Sequence, residues 1–190
     1  MDVKNINLYN FTFTGGDDCI AIKPRSYNVH VSNITCNGGN GIAIAYLEDS
    51  IVEDVVIENA RVPATRFGTY IKTWMGHLAP LTHYESAGLP RGGGWGFVRN
   101  ITFRNVDVDS AQRGLLITQD NGDNGSFAGT SQMGIEDVLF QGYRGRLGAE
   151  REEVYVDCSR VHPCTGIRFE DVRILSQSGG GVWGDLSVDG

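Results

Sequence analysis

Asp17 and Asp18 stand side by side after Gly15-Gly16 and before Cys19-Ile20-Ala21-Ile22-Lys23, and no other residues in the chain are better placed for acid–base chemistry. Neighbours on an extended strand point to opposite faces, so both carboxyls reach one side only where the chain bends, which the two glycines permit. Two readings are open. In one, the pair shapes a turn, each carboxylate accepting hydrogen bonds from nearby backbone amides. In the other, the pair is an acid and a base. Cleavage of a glycosidic bond needs one protonated carboxyl for the leaving oxygen and one ionised carboxyl to activate water, and close like charges favour such a division.

The elements that would position the pair are visible as a repeat. A β-branched or apolar residue, any residue, an apolar residue, any residue and then Asn, Gly or Asp recurs at Ile6–Asn10, Val29–Asn33, Val55–Asn59, Ile101–Asn105, Val138–Gly142 and Ile167–Asp171. Alternation with period two puts the apolar side chains on one face, and the closing residue tolerates a left-handed bend. The first positions lie 23, 26, 46, 37 and 29 residues apart. The shortest spacings fit one coil of a solenoid, 46 reads as about two coils, and the others read as coils enlarged by loops. Second strands are expected at Cys19–Ile22, Ile42–Ile44 and Tyr70–Trp74. No amphipathic helix is expected, because a period of 3.6 never holds for three turns. An antiparallel sandwich would also use short strands and glycine turns, but stacked coils account better for the recurrent strand and Asn. Residues 1–190 are read as one β-helix domain, with loop excursions at about 75–96 and 120–131.

Composition narrows the function. The chain has 190 residues, 26 of them glycine against 5 prolines, which suits short strands joined by tight turns. A net charge of −7 without a basic run argues against nucleic acid and anionic membrane surfaces as partners. The cysteines form two close pairs, Cys19 with Cys36 and Cys158 with Cys164; local pairing is the simplest of three connectivities and points to an oxidising compartment. Asn10, Asn33, Asn100 and Asn124 each open an Asn-x-Thr or Asn-x-Ser triplet and are glycosylation candidates, consistent with a secreted, extracellular protein. His30, His77, His83 and His162 lack metal-ligand spacing, and the stretch Gln119–Gly125 lacks the terminal glutamate of a calcium loop, so neither a metal nor another cofactor is expected. Trp74, Tyr84, Trp95 and Phe97 could stack on sugars, although aromatics in a repeat protein more often fill the core.

Asp17-Asp18-Cys19, Cys36-Asn37-Gly38-Gly39-Asn40-Gly41-Ile42-Ala43-Ile44, Gly68-Thr69-Tyr70-Ile71-Lys72-Thr73-Trp74, Gly92–Asn100 and Cys158 to Cys164 together resemble the signature segments of glycoside hydrolase family 28 over roughly residues 1–175. The resemblance implies an all-β, right-handed parallel β-helix and inverting hydrolysis of pectic polysaccharide without metal. It also implies disulfides Cys19–Cys36 and Cys158–Cys164. By resemblance Asp17 is the general acid, Asp18 one of the carboxylates that activate water, and Lys72 a substrate-binding ammonium. Asn40 stands where the family has a histidine, and Tyr70 where it has an arginine; both are retained as substrate-binding candidates. These replacements look more like the exo-acting and rhamnosidase-like branches than the endo enzymes. The family's Asn-Thr-Asp motif would fall just before Met1, so the N-terminal coils are expected to be missing and the chain by itself to be unstable or inactive.

The resulting expectation is a monomeric, pectin-active hydrolase, polygalacturonase-like and exo-acting, that cleaves galacturonosyl or rhamnosyl linkages. Two alternatives stand beside it. A calcium-dependent pectate lyase would use the same solenoid, and a degenerate β-helix would bind cell-wall glycan without turnover.

Overall fold

The computed structural model describes residues 1–47, 50–77, 92–121, 127–149 and 151–188. Twelve strands follow in order: β1 (Val3–Thr14), β2 (Asp18–Ile22), β3 (Ser26–Asn37), β4 (Gly41–Leu47), β5 (Ser50–Arg61), β6 (Phe67–Trp74), β7 (Gly96–Asp109), β8 (Arg113–Asn121), β9 (Met133–Arg146), β10 (Val154–Asp157), β11 (Thr165–Leu175) and β12 (Gly181–Val188). From β1 to β11, odd and even strands separate into two sheets, and β12 joins the odd one. The longer sheet has the order β1-β3-β5-β7-β9-β11-β12 and the shorter β10-β8-β6-β4-β2. All pairings are parallel except β11 with β12. Each of the five coils from β1 to β10 therefore gives one strand to each sheet, and the chain is a parallel β-helix.

The repeat sets the register. Ile6 pairs with Val29, Val29 with Val55, Val55 with Ile101, Ile101 with Val138, and Val138 with Ile167. The sequence spacing of 46 was expected to mark two coils, and here the structure differs: β5 and β7 are direct neighbours, so those 46 residues form a single enlarged coil. The enlargement falls after β6, in the first excursion, of which residues 78–91, with Tyr84 and His83, lie outside the described residues. Residues 122–126 of the second excursion, with Asn124, lie outside them too.

The closing residues of the repeat take the left-handed backbone expected of them: Asn10, Asn33, Asn59, Asn105, Gly142 and Asp171 all have φ between 50° and 70°. A second set of corners, Asn5, Asn28, Asp54, Asn100, Asp137 and Gly166, sits at the other end of each repeat and bends the same strands again. Asn and Asp bear this conformation best among residues with a Cβ. Stacked corners also bond to one another, Asn28 donating to Asn5 at 2.7 Å and Asn105 to Asn59 at 3.1 Å. The sequon residues Asn10, Asn33 and Asn100 are thus exposed corner residues.

Between the sheets, like stacks on like. Phe103, Phe140 and Phe169 form a ladder with ring centroids 5.2 and 5.1 Å apart, close to the strand spacing of about 4.8 Å. Buried Thr69 and Tyr143 satisfy each other through a hydroxyl pair at 2.9 Å, and burial pushes the Tyr143 phenol well above its ordinary value. Cys19–Cys36 ties β2 to β3, and Cys158–Cys164 closes the loop after β10.

Phe140→Ala removes the middle of the ladder and is expected to cost about 3–5 kcal/mol, read as a lower midpoint in urea. Asp171 gives a pH-dependent contribution. A hydrogen bond from Arg144, helped by Arg173 at 3.3 Å, lowers its pKa below the ordinary 3.8. A depressed folded-state pKa stabilises above the unfolded value and is lost as pH falls through the folded one. Asp171→Asn should therefore lower stability at pH 7 and flatten its fall below pH about 4, with wild type and variant converging in acid.

Candidate active site

The shorter sheet presents its outer face as a groove. Along each of its strands Ile20 and Ile22, Ile42 and Ile44, Thr69 and Ile71, and Leu115 and Ile117 point inward, so the residues between them point out. Ala21, Ala43, Tyr70, Leu116 and Tyr155 therefore form one outward column, with Lys72, Thr118 and Asp157 in the next.

The acid pair sits at the mouth of the first of these strands. Asp17 lies in the bend that precedes β2, and Asp18 is the first residue of that strand, with a register shift between Asp18 and Ile20. The bend resolves the difficulty of adjacent residues facing opposite ways. The turn of the following coil packs directly on it: the Asn40 amide donates to the Asp17 carbonyl at 3.1 Å. Gly39 makes that approach possible, with φ +75° and the site of a Cβ only 2.3 Å from the Asp17 carbonyl oxygen.

Both carboxylates are held by one oxygen. Asp17 Oδ1 accepts from the Asp18 amide and from Asn40 Nδ2, each at 2.9 Å. Asp18 Oδ1 accepts a short hydrogen bond from the Tyr70 hydroxyl, two coils on. The turn reading of the pair is met for Asp17, whose carboxylate caps the bend, and the bonds that the two acids accept among the described residues fall on Oδ1. Asp17 is exposed and Asp18 half-buried.

Tyr70 itself has no exposed surface; Phe67 packs on it at 4.8 Å between centroids, and Lys72 Nζ lies 5.0 Å from its ring. Its link to the groove is its hydroxyl on Asp18 rather than an open ring face. Asn40 likewise reaches the site through Asp17, and Lys72 is half-exposed in the outward column. The aromatics divide. Trp74 is 1% exposed and belongs to the interior, Phe97 is half-buried against His162, and Trp95 is 63% exposed. Arg66, Phe67, Arg113 and Tyr155, which the sequence reading did not single out, line a cavity on the outer face of the shorter sheet.

Comparison with known proteins agrees with this architecture. Residues 1–183 match the family described as "Glycosyl hydrolases family 28". The chain is 50% identical over 181 residues to "Putative galacturan 1,4-alpha-galacturonidase C" of Aspergillus niger, covering 90% of this chain and 43% of that protein. It is 31% identical over 196 residues to "Exopolygalacturonase" of Cochliobolus carbonum, covering 98% of this chain and 43% of that protein. The crystal structure of endo-xylogalacturonan hydrolase from Aspergillus tubingensis superposes with a TM-score of 0.80 at 22% identity, over 92% of this chain and 45% of that one. The chain thus spans less than half the length of the relatives it matches. The match over residues 1–183, on a parallel β-helix whose outer groove holds the Asp17–Asp18 pair, assigns the chain to glycoside hydrolase family 28.

Proposed function

We propose that this chain carries the catalytic face of a secreted, pectin-active glycoside hydrolase that cleaves galacturonosyl or rhamnosyl linkages at or near a chain end. The observation that carries the reading is the tethering of each acid by one oxygen. Asn40 and the Asp18 amide hold Asp17 Oδ1, Tyr70 holds Asp18 Oδ1, and the two Oδ2 atoms remain for chemistry. The names of the relatives, a galacturonidase and an exopolygalacturonase, support a terminal galacturonosyl linkage as substrate.

In this mechanism Asp17 Oδ2 carries the proton and gives it to the glycosidic oxygen as the bond to the anomeric carbon breaks. Water attacks that carbon from the opposite side, and Asp18 Oδ2 takes up its proton. One bond to oxygen is broken and one formed, with inversion, and proton exchange with solvent resets the pair. Fixed donors on the Oδ1 atoms keep both acids aimed without reorganisation during the reaction. Lys72, as a compact cation beside the column, supplies a charge-assisted contact to a uronate carboxylate.

Asp17→Asn should lower kcat on polygalacturonan or rhamnogalacturonan by about 10²–10⁴-fold in a reducing-end assay, the range typical of a lost general acid. Full activity in that variant would remove the assignment, and proton NMR of the first product should show the inverted anomer. Tyr70→Phe deletes only the hydroxyl on Asp18. Its expected signature is a kcat lowered about tenfold with KM and thermal midpoint nearly unchanged, as for one lost charge-assisted hydrogen bond.

A further inference from the structure

The entry to β7 is built from backbone that only glycine adopts readily: Gly92, Gly93 and Gly94 have φ of +101°, +66° and +80°. The Gly93 amide donates to the Met75 carbonyl at 2.8 Å, and a Cβ on Gly92 would stand 1.9 Å from the His77 carbonyl oxygen. This anchored run delivers Trp95 to the surface, 63% exposed, immediately before β7. From there the side chains alternate. Val98 is buried, whereas Trp95, Phe97 and Arg99 point away from the core. A lone exposed aromatic is ordinary, but this one stands among apolar neighbours.

Phe97 lies over Gly134 of the next coil, where a Cβ would come within 2.7 Å of its ring. His162 meets the same ring edge-on, with centroids 6.1 Å apart, and Val161 beside it is 58% exposed. Both belong to the short loop closed by Cys158–Cys164, in which the Val161 amide donates to Ser159 Oγ at 3.1 Å. The surroundings have a definite sign. Arg99 donates to Glu53 at 2.9 Å, and that bond, with Glu136 and Asp54 nearby, holds its pKa above the ordinary value. Arg160, next to Val161, is turned to the Ala128 carbonyl at 2.9 Å. Three carboxylates against two guanidinium groups leave one negative charge in excess, so a uronate is repelled here. The same groups still bond the hydroxyls of an uncharged sugar, and aromatic faces take the C–H side of its ring.

We propose that Trp95, Phe97 and Val161 form a glycan platform, separate from the groove of the shorter sheet, that holds an uncharged saccharide chain. Phe97 pairs with Ile51 and Gly134 in the longer sheet, whereas Asp17 and Asp18 stand at the mouth of the shorter one. The chemistry recognised is a neutral sugar ring, which a galactan chain and a methyl-esterified galacturonan both supply. The platform needs no turnover, so it stands or falls independently of the hydrolase reading.

The test is calorimetric titration of the full chain with β-1,4-galactotetraose and with fully methyl-esterified trigalacturonate, each repeated in the presence of saturating trigalacturonate. The wild type should bind at least one of the two uncharged ligands, and the one bound names the source. Trp95→Ala should weaken that binding about tenfold or more while keeping its thermal midpoint and its affinity for trigalacturonate, and Trp95→Phe, which keeps a ring, should retain most of it. Binding of neither uncharged ligand, an affinity untouched in Trp95→Ala, or displacement by trigalacturonate overturns the platform. Turnover of pectic substrate alongside any of these would leave the hydrolase reading standing. Trp95-dependent binding without any turnover would do the reverse.

Discussion

The constraint on which this molecule depends is parallel pairing in a fixed register between coils. No single coil can cover its own apolar face; each is completed by the one before and the one after. Because the pairing puts equivalent residues in line, Phe103, Phe140 and Phe169 stack, and asparagines meet asparagines at the corners. The left-handed corners matter as much as the apolar columns. They turn the chain at the same height in every coil, so an inward residue in one strand stays inward in the next.

The same register builds the site. Asp17 and Asp18 belong to the first coil, but the groups that fix them, Asn40 and Tyr70, come from the second and third. Within the bend only the Asp18 amide holds Asp17 Oδ1; the side-chain tethers come from later coils. Stacking turns ordinary side chains into a preorganised arrangement, and Gly39 is the small permission that lets two turns approach closely enough for it. Asn40 and Tyr70 are thus bonded to the two acids directly.

Much of the fold could be read from the residues. The positions Ile6, Val29, Val55, Ile101, Val138 and Ile167 are partners in the longer sheet, because their alternation and closing Asn, Gly or Asp are local features. The strand β8 escaped notice because Gly114-Leu115-Leu116-Ile117 is apolar on both faces, Leu116 being covered on the groove side, and so shows no alternation. The antiparallel β12 has no repeat signature at all. In the site, the two acids were legible as a motif, whereas their tethers were not. The Asn40 and Tyr70 bonds span 23 and 52 residues, and only the winding of the chain brings them into reach.

The coil from β5 to β7 takes 46 residues to make the step that β1 to β3 makes in 23, yet its strands pair with the same alignment. Closing a connection twice as long costs only about 0.6 kcal/mol of chain entropy. Rungs and excursions are therefore separable modules. Evolution, or an engineer, can lengthen, shorten or exchange such a connection while the paired strands keep their alignment, which makes such a solenoid a ready frame for diversifying what it recognises.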